Sequence, residues 1–257
     1  MSQSFVRRAV PYRIVGGVGL RLDEYLPRAG GPHAAVIFVH GGGFRSGERG
    51  AFAPGEAAYA ATGLALALEN FAAFAIDYRL APRFPFPAAE SDVLAAVRWV
   101  RRHALALRVD PIRLALFGAS SGGNLAVLAA TDPRGPLDQG ERVRAVVSWS
   151  GPMDLARFYP DHPFVGEYVG CAPFACPGRY RAASPVNHVD GADPPIFLAT
   201  GTAESVPLTQ AREMISRLSA ARVAHQLITI PGGQHAGEYA PKAWPSTLRF
   251  LRRYLTP

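Results

Sequence analysis

Ser120 stands in Gly118-Ala119-Ser120-Ser121-Gly122, between the apolar run LALF and the helix-forming stretch NLAVLAA. A chain that turns abruptly from a buried strand into a helix strains the backbone of the turn residue. Glycines on either side let strand and helix approach, and the serine hydroxyl stands clear at the sheet edge. The helix N-terminus also favours negative charge developing there. A serine so placed attacks acyl carbon and forms a covalent intermediate. Ser121 lacks the glycine two residues before it, and its backbone N–H suits the site better than its hydroxyl.

Attack at a carbonyl creates an oxyanion, which needs preorganised N–H donors. His40-Gly41-Gly42-Gly43 ends the apolar run AAVIFVH. A glycine run after a strand brings the backbone close enough to supply them. Gly41 and Gly42 are the expected donors, together with the Ser121 amide, and His40 is expected to brace the loop. The base must come after the last strand. Of seven histidines, His235 lies in such a loop, LITIPGGQH. His225 falls inside the strand, and His162 and His188 lie in a long aperiodic stretch. The acid belongs between nucleophile and base in chain order. Glu204, in the loop GTAES after IFLATG, fits that place. Asp190 and Asp193 precede the strand and would sit at its wrong end.

These residues need a frame of strands. Short continuous apolar runs suit strands buried on both faces. Residues 34–40 are such a run and 112–120 another buried strand, and strands are also read at 71–80, 143–150, 194–201 and 224–232. Residues 13–26 read as an antiparallel pair around Gly16-Gly17. Helical spacing covers 54–70, 89–103, the stretch after Ser120, 208–221 and 241–255. Strands alternating with helices predict an α/β fold, with a mostly parallel central sheet and helices on both faces. No repeat or low-complexity linker divides the chain, so residues 1–257 read as one domain. Residues 151–190 are Pro-rich and aromatic-rich without a clear period. Such a connection is usually functional, and it reads as an excursion over the catalytic edge. Its aromatics Phe158, Tyr159, Phe164, Tyr168 and Phe174 are candidates to fill or line a pocket.

Composition narrows the function classes. The net charge of +7 is carried by dispersed arginines, with Lys242 the sole lysine. The basic residues form no run and no nucleic-acid motif, so a solvated basic surface is expected and nucleic acid is not an expected partner. The most apolar stretch, 57–76, is interrupted by Thr62, Gly63, Glu69 and Asn70, so no membrane span is expected. No secretion signal is visible, and a cytoplasmic address follows by default. Two cysteines, Cys171 and Cys176, make a poor disulfide framework for 257 residues. Free thiols are the expectation, with a small local disulfide as the alternative. No cofactor is expected: histidines and acids lack metal-ligand spacing, and no phosphate or dinucleotide loop is present.

The chain resembles the hormone-sensitive-lipase-like and feruloyl-esterase-like carboxylesterases of the α/β-hydrolase superfamily. The resemblance runs in order through LDEYLP, VIFVHGGGFRSGE, DYRLAPRFPFPAAESDVLAAVRWV, DPIRLALFGASSGGNLA, SGPMDL, ASPVNHV, PPIFLATGTAESVP and PGGQHA. It implies an α/β-hydrolase fold and hydrolysis of small carboxylic esters through an acyl-enzyme. It also implies Ser120 as nucleophile, His235 as base, and Gly41, Gly42 and Ser121 as oxyanion donors. Two features depart from the pattern. Where the family has G-A-x-D or G-T-x-D before V-P, this chain has Glu204, and one residue fewer. The elbow reads G-A-S-S-G where the lipase-like branch has G-D-S-A-G. That elbow and the short N-terminus match the shorter, feruloyl-esterase-like branch, with a small cap at most. Two rivals remain: an arylformamidase-type amide hydrolase, and a catalytically inactive ligand-binding protein on the same scaffold.

Overall fold

Alternation along one strand shows how the sheet is buried. In β3 (His33–Val39), Ala35, Ile37 and Val39 face one core layer, while Ala34, Val36 and Phe38 face the other. A strand apolar on both faces belongs mid-sheet with helices above and below. The computed structural model describes residues 5–28, 30–50, 60–132, 139–160 and 162–256. Its other strands are β1 (Phe5–Val15), β2 (Val18–Leu26), β4 (Ala72–Ile76), β5 (Val109–Ala119), β6 (Ala145–Trp149), β7 (Ile196–Gly201) and β8 (His225–Ile230). They form one sheet in the order β1-β2-β4-β3-β5-β6-β7-β8. β2 pairs antiparallel with β1 and β4, and all later neighbours pair parallel. Gly16 and Gly17 both have positive φ, as the tight β1–β2 turn requires.

The helices are α1 (Ala60–Leu68), α2 (Ala88–Arg102), α3 (Ala104–Leu107), α4 (Ser121–Thr131), α5 (Leu155–Phe158), α6 (Val165–Val169), α7 (Pro177–Ala182), α8 (Leu208–Ala220) and α9 (Ala240–Leu255). Apolar residues of α2, α4 and α8 join the core layer on one face of the sheet, and those of α1 and α9 the layer on the other. The expected helix 54–70 is described only from Ala60 onward; 54–59 lie outside the described residues. Strand 71–80 is shorter than expected, because the chain leaves the sheet after Ile76. Its polar continuation makes ion pairs instead. Asp77 binds Arg49 at 2.8 Å, and Arg79 forks onto the buried Asp92 at 2.8 and 3.0 Å. Arg13 meets the same carboxylate at 2.6 Å, so β1, the β4–α2 loop and α2 converge on one charge.

Strand order places the site. β3 connects to β4 on one side, whereas β5 lies on the other side of β3. Connections therefore reverse direction between β3 and β5. In open parallel sheets such a reversal leaves a crevice at the carboxyl ends of the strands, where ligands bind. Residues 40–43 and 120 emerge at that crevice.

Cys171 and Cys176 are joined in a disulfide, with Cα atoms 6.2 Å apart. This corrects the expectation of free thiols. The turn between α6 and α7 brings two residues five positions apart into bonding range. Among the described residues, no helix is long and apolar enough to cross a membrane.

One buried acid makes stability pH-dependent. Burial, reinforced by the charge of Asp132, pushes the Glu90 carboxyl up to about 8. The native chain holds this proton at a pH where the unfolded chain has released it. The folded pKa is raised, so stability is complete below the unfolded value of 4.5 and falls as pH rises towards 8. Glu90→Gln should melt close to wild type at pH 5 and several degrees above it at pH 8.5. An equal difference at both pH values would refute the assignment.

Candidate active site

Ser120 follows β5 and caps α4 with φ 53° and ψ −125°, a region that non-glycine residues avoid. Its N–H donates to Trp149 O at 2.7 Å, and its carbonyl accepts from Gly123 and Asn124 of α4. Strand pairing and helix capping thus hold the strained residue from both sides. A Cβ on Gly118 would collide with Gly122 O, and one on Gly122 with the carbonyls of Val39 and His40. These glycines are required by close approach, and the second contact sets the α4 start directly against the end of β3.

The glycine loop is braced as the sequence suggests. His40 is buried and stacks on Tyr78 at 4.2 Å. Burial lowers its pKa to about 4, so the ring is neutral at pH 7. Its Nδ1–H donates to Gly41 O at 2.7 Å. In a trans peptide the carbonyl and the following N–H point in opposite directions, so this bond turns the Gly42 N–H away from His40. Gly42 has φ 116°, and its carbonyl accepts from the amides of Arg45 and Ser46 at 3.1 Å. Among the described residues, the amides of Gly41, Gly42 and Ser121 have no hydrogen-bond acceptor.

Glu204 and His235 come from the loops after β7 and β8, at the same carboxyl edge as Ser120. His235 Nδ1 is hydrogen-bonded to Glu204 Oε2. The Glu204 side chain is fully buried, and that of His235 is 29% exposed. Glu204 Oε1 accepts from Gly201 N at 2.6 Å, Thr200 Oγ1 at 2.8 Å and Ser150 Oγ at 2.9 Å. Three donors fix the orientation of the Glu204 carboxyl group. Such an acceptor on Nδ1 leaves Nε2 as the basic nitrogen. The two loops are also tied through backbone: Thr202 N donates to Ile230 O and Ala203 N to Gly232 O. Asp190 and Asp193 lie before β7, at the opposite end of that strand, and Asp193 faces the buried Arg142.

A cavity of about 240 Å³ opens over the serine. Gly43 and Phe44 enter it from the glycine loop, Ser120 and Ser121 from the elbow, and Ser205 and Val206 from the acid loop. Pro152, Phe158, His162 and Phe164 enter from residues 151–190. Of the other aromatics singled out there, Tyr168 is buried against Phe44 at 3.9 Å, Tyr159 meets Tyr180, and Phe174 is exposed.

Sequence reasoning missed Ser150 and Tyr239. Ser150 follows β6 at φ 53°. Its hydroxyl reaches Glu204, lies 2.7 Å from Tyr239 Oη, and accepts from Ala236 N at 2.8 Å. Tyr239 Oη donates to Ala199 O on β7. One hydroxyl therefore links the acid to the loop that carries His235. A serine at a strand end carries no sequence signal for this; only the meeting of β6, β7 and the β8–α9 loop creates it. Ser150→Ala should lower kcat about tenfold with KM little changed, as expected for one lost hydrogen bond to a charged group. An unchanged kcat would reduce Ser150 to a packing role.

A family model matches residues 22–218. The chain belongs to the BD-FAE family. This BD-FAE chain is 34% identical over 178 residues to the probable carboxylic ester hydrolase LipM of Mycobacterium tuberculosis, covering 63% of itself and 41% of that relative. It spans about half or less of the length of these curated relatives. Among solved structures it is similar to a truncated carbohydrate esterase from gut microbiota, with TM-score 0.84, 26% identity, and coverage of 100% and 98% of the two chains. It is also similar to Thermogutta terrifontis esterase 2 phosphoramylated by tabun, with TM-score 0.78, 25% identity, and coverage of 99% and 96%.

Proposed function

We propose that this BD-FAE chain is a carboxylesterase-type serine hydrolase that cleaves small carboxylic esters. The observation that carries the reading is the buried Glu204 carboxyl on His235 Nδ1, at the same sheet edge as a serine that is held at positive φ and lines an open cavity. In this reading Ser120 attacks the ester carbonyl while His235 Nε2 takes its proton. The oxyanion is held by amides of Gly41, Gly42 and Ser121. His235 then protonates the leaving alcohol, and water releases the acid by the same route. Glu204 keeps the proton on Nδ1 and stabilises the imidazolium. No cofactor enters these steps.

Relatives named as ester hydrolases support the reaction class, and a relative's reaction with an organophosphate supports a nucleophile of this kind. The reading extends to a small-molecule ester as partner and to a cytoplasmic address. The Cys171–Cys176 disulfide weighs against the address, since such bonds persist in oxidising compartments.

The test is hydrolysis of p-nitrophenyl acetate, butyrate and octanoate, and of N-formylkynurenine, alongside labelling by a fluorophosphonate probe. Turnover of a short ester with stoichiometric labelling is expected. Preference for the formyl-amide would move the reading to an arylformamidase. No turnover and no label would leave an inactive scaffold.

A further inference from the structure

His162 lies within the 151–190 excursion, 43 residues from its partner Ser205 in sequence, yet it touches both the cavity wall and the acid loop. Its ring stacks on Phe158 at 3.9 Å and meets Phe164 edge-on at 5.7 Å. All three side chains wall the cavity over Ser120. Its Nε2 lies 2.9 Å from Ser205 O. A carbonyl only accepts, so Nε2 carries the proton and donates. Ser205 directly follows Glu204, and its hydroxyl lies 3.5 Å from His235 Nδ1.

The root of the excursion is fastened elsewhere. Gln210 Oε1 accepts from the amides of Met153 and Asp154 at 2.8 and 2.7 Å. Ser184 Oγ accepts from Leu155 N at 2.9 Å, and Arg157 pairs with Glu213 at 2.7 Å. Those bonds fix residues 153–157. The aromatic wall beyond them, at 158–164, meets the acid loop through His162.

We infer that His162 is a positioning residue for the proposed hydrolysis, joining the substrate-facing aromatic wall to the loop that carries the catalytic acid. The inference rests on the esterase reading. It assigns two separable jobs to one side chain. The Nε2–H bond holds Ser205, and through it the Glu204–His235 pair, and so acts on kcat. The ring backs Phe158 and Phe164, and so acts on substrate binding.

Two variants separate these jobs. His162→Phe keeps a stacking ring and removes the donor. His162→Gln keeps an N–H near the Nε2 position and removes the ring. Both are assayed with p-nitrophenyl butyrate, and kcat is expressed per site labelled by the fluorophosphonate, so unfolded protein does not count. His162→Phe should lose about fivefold in kcat with KM within about twofold of wild type, the scale of one lost neutral hydrogen bond. His162→Gln should keep kcat within about twofold and raise KM about fivefold. If His162→Phe keeps full kcat, or both variants change kcat and KM alike, the inference falls while the esterase reading stands. If the wild type neither labels nor hydrolyses, both fall.

Discussion

Ser120→Ala is expected to lose at least about four orders of magnitude in p-nitrophenyl ester turnover and all labelling by a fluorophosphonate. Members of a nucleophile–base unit act together, so removing the attacking oxygen removes nearly the whole rate enhancement of the covalent route. KM should change little, because every other wall of the cavity is untouched. Ser121→Ala is the control: the backbone amide remains, so labelling should persist. A second substitution reports on the backbone. Ser120 is a non-glycine residue held at φ 53° by its bonds to Trp149 and α4. Glycine adopts that conformation without strain. Ser120→Gly should therefore be as inactive as the alanine variant, and more stable than it by about 1 kcal/mol. Thermal melts of the two variants decide this. Substantial turnover by Ser120→Ala would sink the proposed mechanism.

The strands that were legible in the sequence are those buried on both faces. β3, β4, β6, β7 and the second half of β5 each appear as an apolar run of strand length, because a sheet covered on two sides leaves no polar face; the edge strand β8, with Gln226 and Thr229 exposed, is legible only through its β-branched Ile228, Thr229 and Ile230. β1 begins at Phe5, eight residues before the strand that the sequence pattern marks at Arg13. Its first half is exposed and carries Arg7 and Arg8, which pair with Glu24 and Asp23 of β2. Sheet pairing makes that segment a strand, and pairing leaves no hydrophobic period to read. The excursion was legible only as an interruption. Its helices α5, α6 and α7 have four, five and six residues, too few to show a helical period. They are held by tertiary bonds such as those to Gln210 and Ser184.

The site divides along the same line. Ser120 and the glycine loop stand in local motifs, since a strained turn needs small neighbours in fixed positions. Ser150, Tyr239 and His162 act across the fold, on partners 40 to 89 residues away, and no local pattern marks them. The acid lies between the two cases. The resemblance implies an aspartate where Glu204 stands, in a loop one residue longer. A glutamate is one methylene longer than an aspartate. From this loop the glutamate reaches His235 Nδ1.

Glu204→Gln tests the role proposed for this carboxyl group. The amide oxygen can still accept from Gly201, Thr200 and Ser150, so the loop should keep its shape. The amide NH2 then faces His235 Nδ1 and can only donate. This forces the proton onto Nε2, the nitrogen that must be free to accept one from Ser120. A wrong tautomer in an otherwise intact triad costs on the order of 10³ to 10⁴ in kcat, and the melting temperature should move by only a few degrees. Glu204→Asp should lose less, about 10- to 100-fold, because its shorter reach strains either the His235 bond or the three donors. Asp193→Asn is the contrasting variant. It removes a negative charge facing the buried Arg142 at the other end of β7, so it should destabilise the fold and spare kcat per labelled site. If Glu204→Gln turns over esters near the wild-type rate while Asp193→Asn does not, the acid has been assigned to the wrong end of the strand.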